Sequence, residues 1–307
     1  MSRKVTMKDI AKDVGVSVAT VSYVLNYSEK EKISHDTRLK VFEAVKRLGY
    51  VPNMAAKSLA SKSSQMVGII INLSEKNKRS KLYQYYDMVH ELQRQMHKLG
   101  YDVLLLSTKE IGKEFDWVSK RSLDGVFVIG MGERQLNEIA NKYYVPIVFV
   151  DGYLEDNLFF KVLPNYQTVL QKAKEILHTD PLYIIMEEQA NDLLTHIIEE
   201  QFLPENVFVN RKGSSLESFL QAHQQGKGIV VGELLALQAE RLVDNSHFVA
   251  VINSERDPML LPDTKRIVIS NKKKAEYASN VMTKLMKLED FEELPKIIFV
   301  EPLEEQI

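Results

Sequence analysis

The residues best placed to do chemistry near the start of this chain are small and uncharged. Ser17, Val18, Ala19, Ser22 and Tyr23 project from helix-forming sequence, while Ile10, Ala11, Val14, Val16, Val21, Val24 and Leu25 share the opposite, apolar side. Hydroxyls and methyl groups displayed in this way make hydrogen bonds and packing contacts; they break no covalent bonds. Nothing elsewhere supplies bond-breaking machinery. Seven histidines are scattered, and only His90 and His97 share a helix, at a separation wider than zinc ligands prefer. There is no cysteine to act as nucleophile, thiolate ligand or disulfide partner, which also accords with a reducing compartment. The 13 glycines form no phosphate-cradling loop and no Gly-x-Ser-x-Gly elbow. The expectation is a protein that is not an enzyme and that uses neither metal nor cofactor.

The elements that must position these groups are short. Thr6 with Asp9 three residues on opens a first helix through Val14, and Gly15 stops it, because glycine enters the left-handed region at little cost. Ser17 caps a second helix through Leu25. A third, capped by Ser34, is built on Leu39, Phe42, Val45 and Leu48 and ends at Gly49. Two helices joined by a tight glycine turn, backed by a third, make a helix-turn-helix unit whose second helix enters the DNA major groove. Periodicity alone leaves a plain three-helix bundle equally open. Charge weighs towards DNA. The net charge of −2 divides into +6 over residues 1–65 and −8 over the rest, so a basic head sits on an acidic body.

After Gly49-Tyr50-Val51-Pro52-Asn53 comes a run of helix formers, Met54 to Ala60, too short to be stable without a partner. Together with Val5-Thr6-Met7-Lys8-Asp9-Ile10-Ala11, Gly15-Val16-Ser17, Thr20-Val21-Ser22, Leu25-Asn26, Thr37-Arg38 and the closing Ser58-Leu59-Ala60, it resembles the lactose-repressor/purine-repressor family of bacterial transcription regulators over some 60 residues in fixed order. The resemblance implies that Ser17, Ser22, Asn26, Ser34 and Thr37 meet phosphates, fixing register. It places Val18, Ala19 and Tyr23 against base edges in the major groove, where small apolar groups pack on thymine methyls. Tyr23 departs from the arginine that many members carry, so one hydrogen bond replaces a bidentate grip on guanine. Leu59 matches the leucine that members wedge into the minor groove from paired hinge helices, with Asn53, Ala56 and Ala60 beside it. Two heads reading two half-sites imply a homodimer on a palindromic operator in double-stranded DNA, acting as a repressor.

From Met66 onward, β-branched runs alternate with helical patterns. Strands are predicted at Val67–Ile71, Tyr101–Leu106, Gly125–Ile129, Val145–Val150, Phe160–Leu163, Leu182–Met186, Asn206–Val209, Gly228–Val231, Phe248–Ile252, Ile267–Ile269 and Lys296–Val300. The fold class is therefore an all-α helix-turn-helix head plus an α/β regulatory body of two doubly wound parallel-sheet lobes, which the family resemblance likens to a periplasmic binding protein. The expected domains are the head at 1–49, a hinge helix and linker at 50–65, and an effector-binding and dimerisation body at 66–307. Within the body, lobe 1 covers about 66–158 and 271–293, and lobe 2 about 159–270 and 294–307.

The resemblance implies a small-molecule effector, a sugar or related metabolite, in the cleft between the lobes. The cleft is also where the sequence departs most. Asp151 matches an acid used by sugar-responsive members, but Glu187-Glu188-Gln189 stands where a Gly-Pro turn and then an effector-gripping arginine are usual. Glu233 and Glu255 fall in replacements of two further motifs; with Asp151 they are the cleft candidates, against a reading as solvated loop acids. Two alternatives follow: a regulator whose cleft answers to a protein partner instead of a sugar, or a solute-binding module or enzyme with an accessory head. The helix bearing Leu82, Tyr86, Val89, Leu92, Met96 and Leu99 reads as a packing face, with Tyr83, Tyr85 and Met88 as candidates for a dimer contact. No apolar signal core opens the sequence and no membrane-length apolar stretch follows, so a cytoplasmic protein is expected.

Overall fold

The structure is a computed structural model, and it describes residues 5–27, 32–50, 64–73, 79–108, 123–131, 145–189, 192–255, 259–289 and 293–304. The head forms as its sequence predicts. In front of α1 (Met7–Val14) the Asp9 carboxylate takes the Thr6 backbone N–H at 2.9 Å and the Thr6 hydroxyl at 2.7 Å. Gly15 then turns the chain at φ 76°, and its N–H closes onto the Ala11 carbonyl. Helices α2 (Val18–Leu25) and α3 (His35–Leu48) follow, the latter ending at left-handed Gly49. Ile10, Ala11, Val21, Val24, Leu25, Val41, Ala44 and Val45 make the buried core. Within α3 the inner face is set by Val41, Ala44 and Val45, and Phe42 and Leu48 lie at its margin.

Among the described residues eleven strands form, at the eleven places predicted, in two parallel sheets. The first sheet contains β1 (Met66–Asn72), β2 (Asp102–Thr108), β3 (Gly125–Ile129), β4 (Ile147–Val150), β5 (Phe160–Pro164) and β11 (Ile297–Val300), in the order β11-β5-β4-β3-β1-β2. The second contains β6 (Tyr183–Glu187), β7 (Val207–Asn210), β8 (Gly228–Val231), β9 (Phe248–Ile252) and β10 (Arg266–Val268), in the order β10-β9-β8-β6-β7. The inner strands are apolar on both faces because both are covered. On the first lobe α4 (Arg79–Lys98) and α9 (Asn271–Lys287) pack side by side on one face, and Leu123, Met131, Leu154 and Phe159 lie against the other. On the second the helices include α5 (Tyr166–Leu177), α6 (Asp192–Gln201), α7 (Leu216–Ala222) and α8 (Glu233–Ala239). Gly125 shows how closely α9 seats: a Cβ there would lie 2.4 Å from the Met282 sulfur.

The lobe boundaries require correction. Both β5 and β11 hydrogen-bond into the first sheet, so 159–164 and 297–300 belong to lobe 1 and not to lobe 2. An apolar run reads the same whichever sheet it joins, and only the edge it pairs with decides. The chain passes to lobe 2 after Pro164, returns at Asn271, and leaves β11 so that the Leu303 N–H reaches the Val268 carbonyl at 2.8 Å.

A second correction concerns α4. Its buried stripe is Tyr85, Met88, Val89, Leu92 and Met96, whereas Leu82, Tyr86 and Leu99 face outward. Two apolar stripes of helical period overlap in this segment, and the sequence alone does not say which one meets the sheet. Tyr85 and Met88 are accordingly core residues and not dimer contacts, while Tyr83 is exposed.

Candidate nucleic-acid interface and interlobe cleft

In the head, Ser17 and Ser34 act as caps in the same way. The Ser17 Oγ accepts the Thr20 N–H at 2.9 Å and lies 2.8 Å from the Thr20 hydroxyl. The Ser34 Oγ accepts the Thr37 N–H at 3.3 Å and lies 2.8 Å from the Thr37 hydroxyl. At the far end of α2, Asn26 Nδ2 donates to the Ser22 carbonyl at 2.9 Å and is 3.2 Å from the Ser22 hydroxyl. Val18 and Ala19 are exposed on the first turn of α2, and Tyr23, one turn on, is half-buried against the head core. No acidic or basic side chain lies on α2. The head's surface therefore presents two helix N-termini, each with a serine–threonine pair, beside an apolar tip, an arrangement suited to phosphate oxygens and base methyls. Asn53, Ala56, Leu59 and Ala60 lie outside the described residues. The linker's far end is tied down: the Ser64 and Gln65 N–H groups each reach the Asp124 carboxylate at 3.0 Å.

The head rests on lobe 1. His35, the first residue of α3, places Nε2 2.7 Å from Asp156 Oδ2 and its ring 5.7 Å from that of Phe159. Burial works to raise the Asp156 pKa, but the His35 hydrogen bond and the Leu158 and Phe159 amides outweigh it and hold the carboxyl below its usual value. Tyr27 and Phe42 line a pocket with Leu158, Phe159, Phe160 and Lys296. Burial, reinforced by Lys161 and Lys46, depresses the Lys296 pKa to about 8.

Of the three acids expected in the cleft, Asp151 is there. It follows β4 at φ 54° and holds the Lys274 ammonium with both oxygens, at 3.0 and 2.7 Å. Glu233 is spent elsewhere, accepting the Met259 N–H at 2.8 Å, and Glu255 accepts the Ser270 hydroxyl and lines a separate pocket with Asp87, Arg94 and Lys272. Neither lines the space around Asp151: Glu233 turns to the Met259 backbone, and Glu255 borders a neighbouring pocket between the lobes, formed by α4 and the segment after β9.

The residues that do fill the cleft are Glu187 and Gln189, which the sequence marks only as a departure from the family, and Ser80, Lys81 and Asn210, which it does not mark. From the first turn of α4, the Ser80 hydroxyl donates to Glu187 Oε1 at 2.5 Å. Asn210 Nδ2 reaches the same oxygen at 2.9 Å. Lys81, 2% exposed, donates to Gln189 Oε1 at 3.3 Å and lies 4.8 Å from the Tyr85 ring centroid. Burial depresses its pKa to about 8, against the pull of Glu187, Asp151 and Glu188. Burial, with the Asp151 charge beside it, pushes the Tyr85 and Tyr166 hydroxyls up. One signal was available for both lysines: Lys81 is in helical register with Tyr85 and Met88, and Lys274 with Ala278 and Val281, all buried. A lysine on an apolar stripe is a buried cation in need of a partner. Among the described residues no cluster of histidine and carboxylate groups could hold a metal ion, and no helix is long and apolar enough to cross a membrane.

Residues 6–53 match the model of the bacterial regulatory proteins of the lacI family. The likeness to the lacI family model is carried by the head. The transcriptional repressor PurR of Actinobacillus pleuropneumoniae serotype 5b is 30% identical to it over 165 residues, 52% of this chain and 47% of that protein. The transcriptional regulator RegA of Clostridium saccharobutylicum is 26% identical over 251 residues, 73% of each chain. The chain thus spans under half the length of the PurR repressors it matches. The same two-lobed fold with a head occurs in the cellobiose complex of the regulator CelR (TM-score 0.59, 16% identity, 98% of each chain). It occurs also in the Lac repressor bound to ONPG in its repressed state (TM-score 0.59, 17% identity, 98% of each chain). Both the PurR and the RegA relative are transcription regulators by name.

Proposed function

We propose that this protein is a sequence-specific DNA-binding transcription regulator, a cytoplasmic repressor that occupies a palindromic operator as a homodimer. The observation that carries the reading is the head: an uncharged α2 whose exposed Val18 and Ala19 directly follow its serine cap, and a second serine-capped helix N-terminus at Ser34, on a segment that is +6 overall. Val18, Ala19 and Tyr23 read bases, and Ser17, Ser22, Asn26, Ser34 and Thr37 meet phosphates. Leu59 wedges the minor groove, flanked by Asn53, Ala56 and Ala60. Exposed Leu82, Tyr83 and Tyr86 on α4 supply an apolar face for the second copy.

The test is a footprint of the purified full chain on fragments from upstream of its own gene, at physiological salt, where non-specific binding fades. A protected inverted repeat is expected, and Leu59→Ala is expected to weaken it while leaving the dimer intact. Equal affinity for random DNA would sink the reading.

A second reading concerns the body. The free space among Lys81, Gln84, Asp151, Tyr166, Gln189 and Lys274 is a void of ≈ 20 Å³, enough for about one water and far below the roughly 300 Å³ of ligand pockets. This favours a cleft that does not take a sugar in its present state, so that Asp151 serves the Lys274 pair. Calorimetric titration with sugars, sugar phosphates and nucleobases separates the two; saturable binding restores Asp151 as an effector contact.

A further inference from the structure

We propose that the chain latches its own two lobes together, through Ser80 and Lys81 of lobe 1 and Glu187, Gln189 and Asn210 of lobe 2, so that the body closes with no effector in the cleft. The inference deepens the reading of the body just given and rests on it only for its consequence at DNA.

Two-lobed folds of this architecture commonly close by hinge motion around a ligand, whose polar groups bridge the lobes. Here the bridging groups belong to the chain. Glu187, at the end of β6, is 2% exposed, so its charge must be answered by hydrogen bonds. Lobe 2 offers Asn210, whose Nδ2 lies 2.9 Å from Oε1; lobe 1 supplies the Ser80 hydroxyl, at 2.5 Å from the same oxygen. The Asn210 amide also sits 3.3 Å from the Ser80 oxygen, so the three side chains close a ring across the lobe boundary. Next to it the Lys81 ammonium crosses to Gln189. The outer flank is sealed by packing of α8 against α4. Around Asp151 the space between the lobes narrows to ≈ 20 Å³, beside a second pocket of ≈ 220 Å³ between Asp87, Glu91 and Arg94 of α4 and Asn253, Ser254 and Glu255; Gln84 Oε1 and Gln189 Nε2, both on side chains that line the smaller space, and Glu187 Oε2 are buried with no partner among the described residues. A single water fits the smaller space and the two glutamine atoms.

Opening would strip Glu187 of its Ser80 partner, and a ligand larger than water can enter the space around Asp151 only after that has happened. An effector would therefore act by prising the latch apart, the reverse of a ligand that draws the lobes together, and the unliganded state is the closed one.

The absence of cysteine makes closure directly measurable. Lys98→Cys and Gln221→Cys place spin labels on exposed positions of lobe 1 and lobe 2 in the otherwise cysteine-free full chain. Dipolar distance measurement on the free protein is expected to give one narrow population. Ser80→Ala combined with Asn210→Ala is expected to add a second population at longer distance. Ser80→Ala alone removes one hydroxyl from a helix's first turn and decides the matter should the double variant fail to fold. A broad or two-peaked distribution in the parent, or an unchanged one in the variants, would overturn the latch. DNA plays no part in this measurement, so a closed body that lacks operator preference would count against the proposed function and not against the latch.

Discussion

The head and the cleft are built by opposite strategies. The polar side chains at the head's helix ends are placed by neighbours within four residues: Ser17 by Thr20, Ser34 by Thr37, Asn26 by Ser22. In the cleft, Lys274 meets Asp151 across 123 residues and Ser80 meets Glu187 across 107. A locally built site is held by caps and turns, each contributing little, and tolerates single losses. A site assembled from distant elements depends on buried charges matching one another, where a single loss is expensive.

That difference can be tested in descending order of effect. Lys274→Ala removes the 1%-exposed ammonium that holds Asp151, and is expected to cost the body about 3–5 kcal/mol in urea unfolding of the full chain. A loss under about 1 kcal/mol would mean that water replaces the lysine and that the cleft is no more fragile than the head.

Lys81 gives a pH signature. Its pKa is lowered to about 8 in the fold from 10.5, so between these values the unfolded chain holds a proton that the native chain has released, and stability rises with pH. The stability from this group is full above about 10.5 and lost as pH falls through about 8, on the order of 3 kcal/mol in all. Glu187, Asp151, Glu188 and Lys274 face it, and Lys296 contributes a slope of the same sign, so the informative quantity is a difference. Lys81→Met is expected to flatten the melting temperature's rise with pH relative to the parent; an identical slope would place Lys81 in contact with water.

In the head, Gly15→Val forces a β-branched residue to φ 76° and is expected to cost about 1–2 kcal/mol, read as faster amide exchange confined to residues 5–50. Exchange that rises equally in the lobes would show head and body unfolding as one. Ser17→Ala removes a cap worth about 1 kcal/mol, and its effect on the fold should be the smallest of the four. Loss of operator affinity beyond what that destabilisation explains would sharpen the contrast, since the same hydroxyl is proposed to meet phosphate.

The two regions were unequally legible for the same reason. Thr6 with Asp9, Gly15, Ser17, Ser34 and Gly49 are local signals, and each does in the structure what its type and position suggest. The eleven strands were readable because a buried parallel strand is a short β-branched run bounded by breakers. In the cleft, Asp151 was found through resemblance, while Glu233 binds the Met259 backbone and Glu255 borders a separate pocket between the lobes. Lys274 sits in a run of three lysines that reads as solvated, and only the helix phase against Ala278 and Val281 marks it as buried.

The amino-acid order by itself determined the head, the strand count and the alternation of strand with helix, because caps, turns and periodicity act over a few residues. Tertiary structure alone decided that β5 and β11 join lobe 1, which stripe of α4 turns inward, and that Ser80, Lys81, Glu187 and Asn210 meet. Those outcomes depend on which edges pair and which helix faces meet, and such choices are made between segments that carry no mark of one another in the linear chain.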